Sequence, residues 1–168
     1  MTLAELNSAS EADFVNALGG VFEHSPWVAR RVAAQRPFTS VAALHDAMVG
    51  ALGRAAGERQ LELIRAHPDL AGKAARAGTL TADSEREQAG AGLDRLSEAE
   101  YERFHTLNEA YREKFDFPFI IAVKGRDKQS ILEAFEFRLR NSQEAEKRRA
   151  LDEIAQIVRF RLDDLIRG

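Results

Sequence analysis

The sequence predicts an all-α fold, a single compact domain of about seven to nine helices that spans residues 1–168. Two observations support this prediction. Apolar residues recur at the three- and four-residue spacing of helices along almost the whole chain, and serine-led capping motifs precede several of these stripes. No repeat or linker separates the stripes, and a chain of this length buries roughly 70% of its unfolded surface without disulfides or metals.

Two helices are predicted in the first part of the chain. Ser10 begins a capping box, Ser-Glu-Ala-Asp, in front of an apolar stripe that continues to Phe22. Ser25 is the expected N-cap of a second, short helix, because the proline that follows it suits the first helical position. Pro37 ends this second pattern.

The next two helices lead to a histidine. Thr39 or Ser40 caps the first of them, and Gly57 separates it from a helix that approaches His67. Pro68 follows directly, and proline disfavours helical geometry in the residue before it. We therefore expect His67 to be the last residue of its helix or the first residue of a loop, where an imidazole can reach a ligand.

The segment 68–83 is predicted to be an ordered loop with room for one helical turn, because it contains two glycines, a proline and short polar side chains. A helix from about residue 84 should end at the glycines around residue 91. Three longer helices follow, one after a Ser-Glu-Ala-Glu capping box and two over about 128–140 and 143–166. Between them, the apolar run 117–123 contains a proline and is predicted to be irregular.

Composition excludes several functions. A net charge of −3, from 24 basic and 27 acidic residues, argues against general nucleic-acid binding. No apolar stretch approaches the ~20 residues of a membrane span, and the N-terminus does not resemble a signal peptide. The absence of cysteine excludes disulfides, thiolate metal sites and a cysteine nucleophile. We expect a cytoplasmic protein that binds neither membranes nor nucleic acid.

The four histidines do not have the spacing of a metal site. None lies three or four residues from another, and no group of acids and histidines matches a zinc motif. We therefore expect no metal. Three of them are interpreted as surface or rim residues: His24, His45 and His105. His67 differs in its position before a proline, and on that basis a functional and a structural role are equally favoured.

Ser84, Glu87 and Gln88 share one face of a predicted helix, because they are spaced i, i+3 and i+4. Together with His67 they would provide an acid–base group, a carboxylate and two neutral hydrogen-bonding groups, which suits proton transfer. A structural explanation also exists, since Ser84 could be an N-cap and Glu87 a first-turn acid. The run 117–123 could likewise be core. The residues alone leave these alternatives open.

Taken together, these segments resemble the 2-oxo-4-hydroxy-4-carboxy-5-ureidoimidazoline (OHCU) decarboxylase family of urate degradation. Each matching piece is weak alone, but the ordered set is specific and covers most of residues 10–166. The pieces are His67-Pro68-Asp69-Leu70-Ala71-Gly72-Lys73, Ser84-Glu85-Arg86-Glu87-Gln88, Ala91-Gly92-Leu93, Asn108, Tyr111, Lys114-Phe115, Phe117-Pro118-Phe119-Ile120, and Arg138-Leu139 with Asn141.

One position departs from the family pattern. Asp116 stands where the family usually has the glycine of a Phe-Gly-Phe-Pro segment. If the backbone needs a positive φ at this position, aspartate tolerates it at modest cost.

The resemblance implies a cofactor-free, all-helical and commonly dimeric enzyme that removes CO2 from an unstable ureido-imidazoline to give (S)-allantoin. It implies catalytic roles for His67 and Glu87, and a functional link to hydroxyisourate hydrolase and urate oxidase. An arginine for a carboxylate or carbonyl is also expected, and Arg161 is chosen over Arg159. The remaining substrate contacts that it implies are Pro68, Ser84, Gln88, Phe119, Ile120, Ile121, Ala122 and Val123.

Two other classes of function remain possible for the same sequence. One is a helical ligand-binding or regulatory domain that has the pocket but no turnover. The other is a structural interaction module, in which His67 and Glu87 would be interchangeable surface residues. Product chirality distinguishes the enzyme from both, because unassisted decay of the substrate gives racemic allantoin.

Overall fold

Ten α-helices make up the protein in a computed structural model that describes residues 1–168. In chain order they are α1 (Leu3–Ser8), α2 (Glu11–Leu18), α3 (Trp27–Val32), α4 (Val41–Gly53), α5 (Gly57–Arg65), α6 (Lys73–Ala77), α7 (Ala82–Gly90), α8 (Glu98–Phe115), α9 (Lys128–Arg138) and α10 (Gln143–Leu165). One 3₁₀ turn, Ala33–Gln35, follows α3.

The all-α prediction is confirmed, since the only β-type pairing is an isolated bridge between Thr2 and Arg167. The structure has ten helices, one more than the upper end of the predicted seven to nine, and the short helices α1 and α6 are the ones that were not predicted individually. α1 carried a readable signal, because Thr2 and Glu5 form a reciprocal capping box. α6 is the helical turn for which the segment 68–83 had room. No helix combines the length and the apolar character that crossing a bilayer requires.

The chain divides into two compact units, and the single domain over residues 1–168 stays a prediction. The first unit comprises Met1–Ala66 and Ala155–Gly168, and the second comprises His67–Ile154. In the first unit α3 packs against α2 and α4. Its largest fully buried side chains are Phe14, Phe22, Leu6, Leu18, Leu44 and Met48.

Helix α2 is shorter than its apolar stripe predicted. It ends at Leu18, and Gly19 and Gly20 follow in a turn. Val21 and Phe22 are nevertheless buried, although they lie beyond the helix. Glycine is a poor helix former, so the helix stops while the hydrophobic residues still reach the core.

The predicted cap of α3 was wrong, and that of α4 is confirmed. Ser25 does not cap α3, because its hydroxyl donates instead to the carbonyl of Glu23 at 2.8 Å, and Pro26 occupies the N-cap position. Ser40, one of two candidates for α4, accepts a hydrogen bond from the N–H of Ala43 at 3.0 Å. Serine and proline both occur at the N-terminal ends of helices, so only the geometry of the turn decides whether Ser25 or Pro26 is the N-cap.

An aromatic cluster forms the centre of the second unit. Tyr111 of α8 is fully buried, and its ring centroid lies 4.5–5.9 Å from those of four phenylalanines. Three of these contacts are edge-on, which is a favourable geometry for aromatic rings. The four rings belong to α8, to α9 and to the irregular run between them: Phe115, Phe117, Phe119 and Phe135.

An ion pair joins the N-terminal ends of α8 and α9, and one of its partners belongs to the capping box of α8. Ser97 and Glu100 cap α8 reciprocally, as predicted, and the carboxylate of Glu100 also lies 2.7 Å from the Nζ of Lys128. The hydrogen bond from Lys128, followed by the one from the Ser97 backbone, lowers the pKa of Glu100 from its ordinary 4.5 to about 2. This carboxylate therefore stays charged well into the acid range.

We predict that Lys128→Met raises the pKa of Glu100 towards its ordinary 4.5, measured by NMR titration of the side-chain carboxyl. Because the folded-state pKa is depressed, the ion pair stabilises the fold above pH 4.5, and this stabilisation is lost as the pH falls towards 2. Lys73→Met, at an exposed lysine, is the control and should leave the titration unchanged. An unshifted pKa in Lys128→Met would contradict the assignment.

Candidate active site

His67 lies at the start of a loop, as its position before Pro68 predicted. Helix α5 ends at Arg65, and the N–H of its C-cap residue, Ala66, donates to the carbonyl of Glu62 at 3.0 Å. The imidazole is buried, with 6% of the residue exposed to solvent. A buried side chain on a short loop has a defined position, which proton transfer requires.

The backbone of this loop is strained. Ala71 has φ = 51°, a left-handed conformation that costs a residue with a Cβ about 1–2 kcal/mol. The next residue, Gly72, has no room for a side chain, since a Cβ there would lie 2.8 Å from the Cβ of Asp69. Such a conformation persists only where the surrounding structure imposes it.

Gln88 of α7 holds the loop with both ends of its amide. Its Oε1 accepts a hydrogen bond from the N–H of Ala71 at 2.9 Å, and its Nε2 donates to the carbonyl of Asp69 at 3.3 Å. The side chain is buried, so water does not compete for either group. The amide thus fixes the loop on both sides of Leu70.

Helix α8 supports the same loop from a second direction. The Nδ2 of Asn108 donates to the carbonyl of Leu70 at 2.9 Å, and the Nε of Arg112 lies 3.0 Å from a carboxylate oxygen of Asp69. The Oδ1 of Asn108 is buried without a hydrogen-bond partner. Two helices therefore fix three consecutive residues of the loop that follows His67.

The face of α7 agrees with its predicted spacing. Ser84 and Gln88 are buried and Glu87 is half-buried, whereas Glu85 is exposed. The predicted start of the helix was late, however. Thr81 is the N-cap, and its hydroxyl accepts a hydrogen bond from the N–H of Ser84 at 3.3 Å. Ser84 is therefore not the N-cap of α7. Glu87 lies beyond the first turn, and the helix dipole, which favours acids only within that turn, does not explain its presence.

The apolar run 117–123 belongs to no helix or strand, as predicted. The implied substrate contacts within it are all buried, with between 1% and 7% exposure: Phe119, Ile120, Ile121, Ala122 and Val123. The carbonyl of Ile120 accepts a hydrogen bond from the Nη1 of Arg138 at 2.7 Å. The side chains thus fill the core, and the irregular backbone carries the remaining polar groups.

Asp116, which stands where the family usually has glycine, has the backbone geometry that a glycine would suit. Asp116 terminates α8 with φ = 62° and ψ = 29°, the left-handed conformation of a helix C-cap, and its N–H donates to the carbonyl of Arg112 at 2.8 Å. Aspartate tolerates this region better than most residues, so the turn keeps its form.

Arg161 belongs to the first unit and is 5% exposed. Its Nη2 lies 2.8 Å from the carboxylate of Glu23, and its Nη1 donates to the carbonyl of Val21 at 3.3 Å. Arg159, by contrast, is half-exposed and pairs with Asp163 one turn further along α10. The choice of Arg161 as a substrate contact stays a prediction.

These features together define a class of protein. In the second unit, the buried imidazole of His67 lies at the start of a strained loop. Gln88 holds this loop, and the half-buried carboxylate of Glu87 lies next to Gln88 on α7. No group of three or more histidines, cysteines or acids is placed to hold a metal ion. The arrangement is that of a small helical enzyme able to perform acid–base chemistry with its own side chains.

Comparisons with known proteins identify the family. The family model described as OHCU decarboxylase matches residues 7–163. A 2-oxo-4-hydroxy-4-carboxy-5-ureidoimidazoline decarboxylase of Halalkalicoccus jeotgali is 46% identical over 98% of this chain and 92% of its own length. A uric acid degradation bifunctional protein of Bacillus subtilis is 47% identical over 98% of this chain, which spans 33% of that protein. A solved (S)-allantoin synthase superposes with a TM-score of 0.80 at 31% identity, over 99% of this chain and 54% of that one.

This chain belongs to the OHCU decarboxylase family, and it is a carbon–carbon lyase of the carboxy-lyase type.

We predict that Gln88→Glu lowers the free energy of unfolding by ~1–3 kcal/mol, because a carboxylate cannot donate to the partly buried carbonyl of Asp69 and leaves that oxygen without its donor. Urea denaturation at neutral pH measures the change. Gln156→Glu, at an exposed position of α10, is the matched control and should stay within about 0.5 kcal/mol of wild type. Equal stability of the two variants would mean that the amide does not hold the loop.

Proposed function

We propose that this protein converts OHCU to (S)-allantoin without a cofactor, with His67 as the proton-transfer residue and Glu87 as the partner that sets its charge and orientation. The observation that carries the proposal is the burial of His67 at the start of a loop held by Gln88, Asn108 and Arg112. Membership of the OHCU decarboxylase family supports the choice of substrate.

The reaction can proceed with side chains alone. The bond between a ring carbon and its carboxylate breaks, CO2 leaves, and the electron pair stays with the ring. Adjacent unsaturated ring groups delocalise this pair, and one proton is then added to one face of the ring. The protein must therefore turn the carboxylate out of the ring plane, stabilise the developing charge and deliver the proton from one side.

His67 suits proton delivery, because imidazole exchanges protons near neutral pH and its burial excludes random protonation by water. Glu87, half-buried on the α7 face that contacts the loop, would orient the imidazole or accept hydrogen bonds from the ureido N–H groups. The buried Ser84 would offer a hydroxyl on the same face, and Pro68 would contact the ring beside the histidine.

Gln88 has two roles in this proposal. Its oxygen and one N–H hold the loop, and its amide nitrogen has a second N–H that it could donate to a carbonyl of the substrate. The backbone of residues 119–123 would read the planar ring, and Arg161 would bind a carboxylate or carbonyl oxygen.

The name of a relative supports a place for the proposed reaction in uric acid degradation. The Bacillus subtilis relative is named a uric acid degradation bifunctional protein, and the segment similar to this chain forms 33% of it. We infer a functional link to urate oxidase and hydroxyisourate hydrolase, which would supply the unstable substrate. Assembly as a homodimer and a cytoplasmic location stay predictions from the family resemblance, and analytical ultracentrifugation would measure the first.

The test is circular dichroism of allantoin formed from freshly generated OHCU, with and without the protein. We expect a single enantiomer and faster decay of the substrate in its presence, because a positioned acid protonates one face only. Racemic allantoin at the rate of spontaneous decay would support a ligand-binding domain without turnover and would overturn the proposal.

We predict that His67→Asn folds normally and loses stereoselective turnover. Asparagine keeps polarity and approximate size but cannot donate a proton near pH 7, and a positioned acid contributes ~10²–10⁴-fold to the rate. Thermal unfolding establishes that the variant is folded, and the dichroism assay measures its rate. Retention of more than about a tenth of the wild-type rate would exclude His67 as the acid.

We predict that Glu87→Gln damages catalysis far more than Glu85→Gln, although the two acids are two residues apart. Glu87 lies on the half-buried side of α7 and Glu85 on its exposed side, so the second variant is a matched control for the first. Glutamine keeps the shape and removes the charge. A carboxylate beside an imidazole raises the pKa of that imidazole, so Glu87→Gln should also move the acidic limb of the pH–rate profile. The same rate loss in both folded variants would place the site elsewhere.

A further inference from the structure

Arg138, at the C-terminal end of α9, is buried and makes three different contacts. It is 3% exposed, its Nη1 donates to the carbonyl of Ile120 at 2.7 Å, and its Nε donates to the carboxylate of Glu146 at 2.5 Å. The Cζ of the guanidinium also lies over the ring of Phe119, 4.3 Å from its centroid. One side chain therefore touches two consecutive residues of the irregular run.

The carboxylate of Glu146 is the anchor for this guanidinium. Glu146 is completely buried, and its Oε1 also accepts a hydrogen bond from the hydroxyl of Tyr111 at 2.7 Å. Its Oε2 accepts from the Nδ2 of Asn141 at 3.0 Å. Burial, followed by the hydrogen bond to this carboxylate, raises the pKa of Tyr111 well above its usual range, so the phenol remains a donor. Both carboxylate oxygens are thus occupied by neighbouring donors.

A buried ion pair of this kind is not an efficient way to gain stability. Removing two charges from water costs several kcal/mol per ion, and well-packed apolar residues often serve equally well. The cost here is increased because the Nη2 of Arg138 is buried without a hydrogen-bond partner. What an apolar residue cannot provide is a directed bond to the carbonyl of Ile120.

The run that contains Ile120 depends on such bonds. It lies between α8 and α9 and belongs to no helix or strand, so no regular ladder of backbone hydrogen bonds sets its position. Stacking of Phe119 on Phe135, with centroids 3.8 Å apart, fixes a side chain. The bond from Arg138 fixes the backbone itself, at the second of the five residues that would read the substrate ring.

We propose that Arg138 is a positioning residue for decarboxylation: anchored by Glu146, it holds the carbonyl of Ile120 and thereby sets the backbone of residues 119–123 against the substrate. The inference rests on the proposed function, since it assumes that this backbone contacts OHCU. In this account Arg138 acts through the carbonyl of Ile120 and not by touching the substrate, so it is a positioning residue and not a catalytic one.

The test compares Arg138→Met with Tyr111→Phe. Methionine fills a similar volume but cannot donate to Ile120, whereas Tyr111→Phe removes one donor from Glu146 and leaves the bond between Arg138 and Ile120 in place. Amide hydrogen exchange of residues 119–123 is measured without substrate. KM, kcat and the pH–rate profile are measured with freshly generated OHCU.

In Arg138→Met we expect faster amide exchange in residues 119–123 and a higher KM. We expect kcat/KM to fall about 10- to 100-fold, since a displacement of the substrate-contacting backbone by about 1 Å can lower the rate by up to about 100-fold. The limbs of the pH–rate profile should not move, because they report His67. In Tyr111→Phe we expect a lower Tm with KM unchanged. Arg138→Lys, which keeps the charge without the planar fork, should fall between Arg138→Met and wild type, and it serves as the test variant if Arg138→Met does not fold.

Two results would overturn the inference. Unchanged exchange of residues 119–123 in the arginine variants would show that Arg138 does not hold the run. A loss of kcat at constant KM, equal in the arginine and tyrosine variants, would show a merely structural role. Racemic product from the wild-type protein is a different failure: it removes the proposed function, while the exchange rates still report whether Arg138 holds the run.

Discussion

The side-chain amide of Gln88 is the constraint on which the candidate site depends. A loop that contains a left-handed alanine does not maintain its own shape, and the amide supplies an acceptor to the N–H of Ala71 and a donor to the carbonyl of Asp69. The residue that holds the loop also belongs to the helix that carries Glu87. Helix α7 therefore carries the carboxylate and, together with α8, fixes the loop that follows the imidazole.

Each unit contains a buried pair of arginine and glutamate, and the two pairs share a second feature. In each, the guanidinium also donates to a backbone carbonyl outside the helices: Arg161 to Val21, and Arg138 to Ile120. Buried ion pairs add little net stability, but a guanidinium has five donors in a fixed plane. It can therefore bind a carboxylate and hold irregular backbone at the same time.

The run 117–123 shows that core and site are not exclusive descriptions. Its side chains are buried among aromatic rings such as Tyr111, which accounts for its apolar composition. Its backbone follows no regular pattern, which accounts for the proline and for the polar contact at Ile120. The same seven residues can fill the core with side chains and present amide groups, because these groups point in different directions.

The sequence by itself determined the features that depend on neighbouring residues. Helical spacing predicted the all-α fold and the face shared by Ser84 and Gln88, and Pro68 predicted the end of α5. The tertiary structure decided the pairings between distant residues: Gln88 with the strained loop, and Arg138 with Ile120. Local rules follow from backbone geometry within a few bonds, whereas a contact across 17 or 18 residues exists only once packing brings the two elements together.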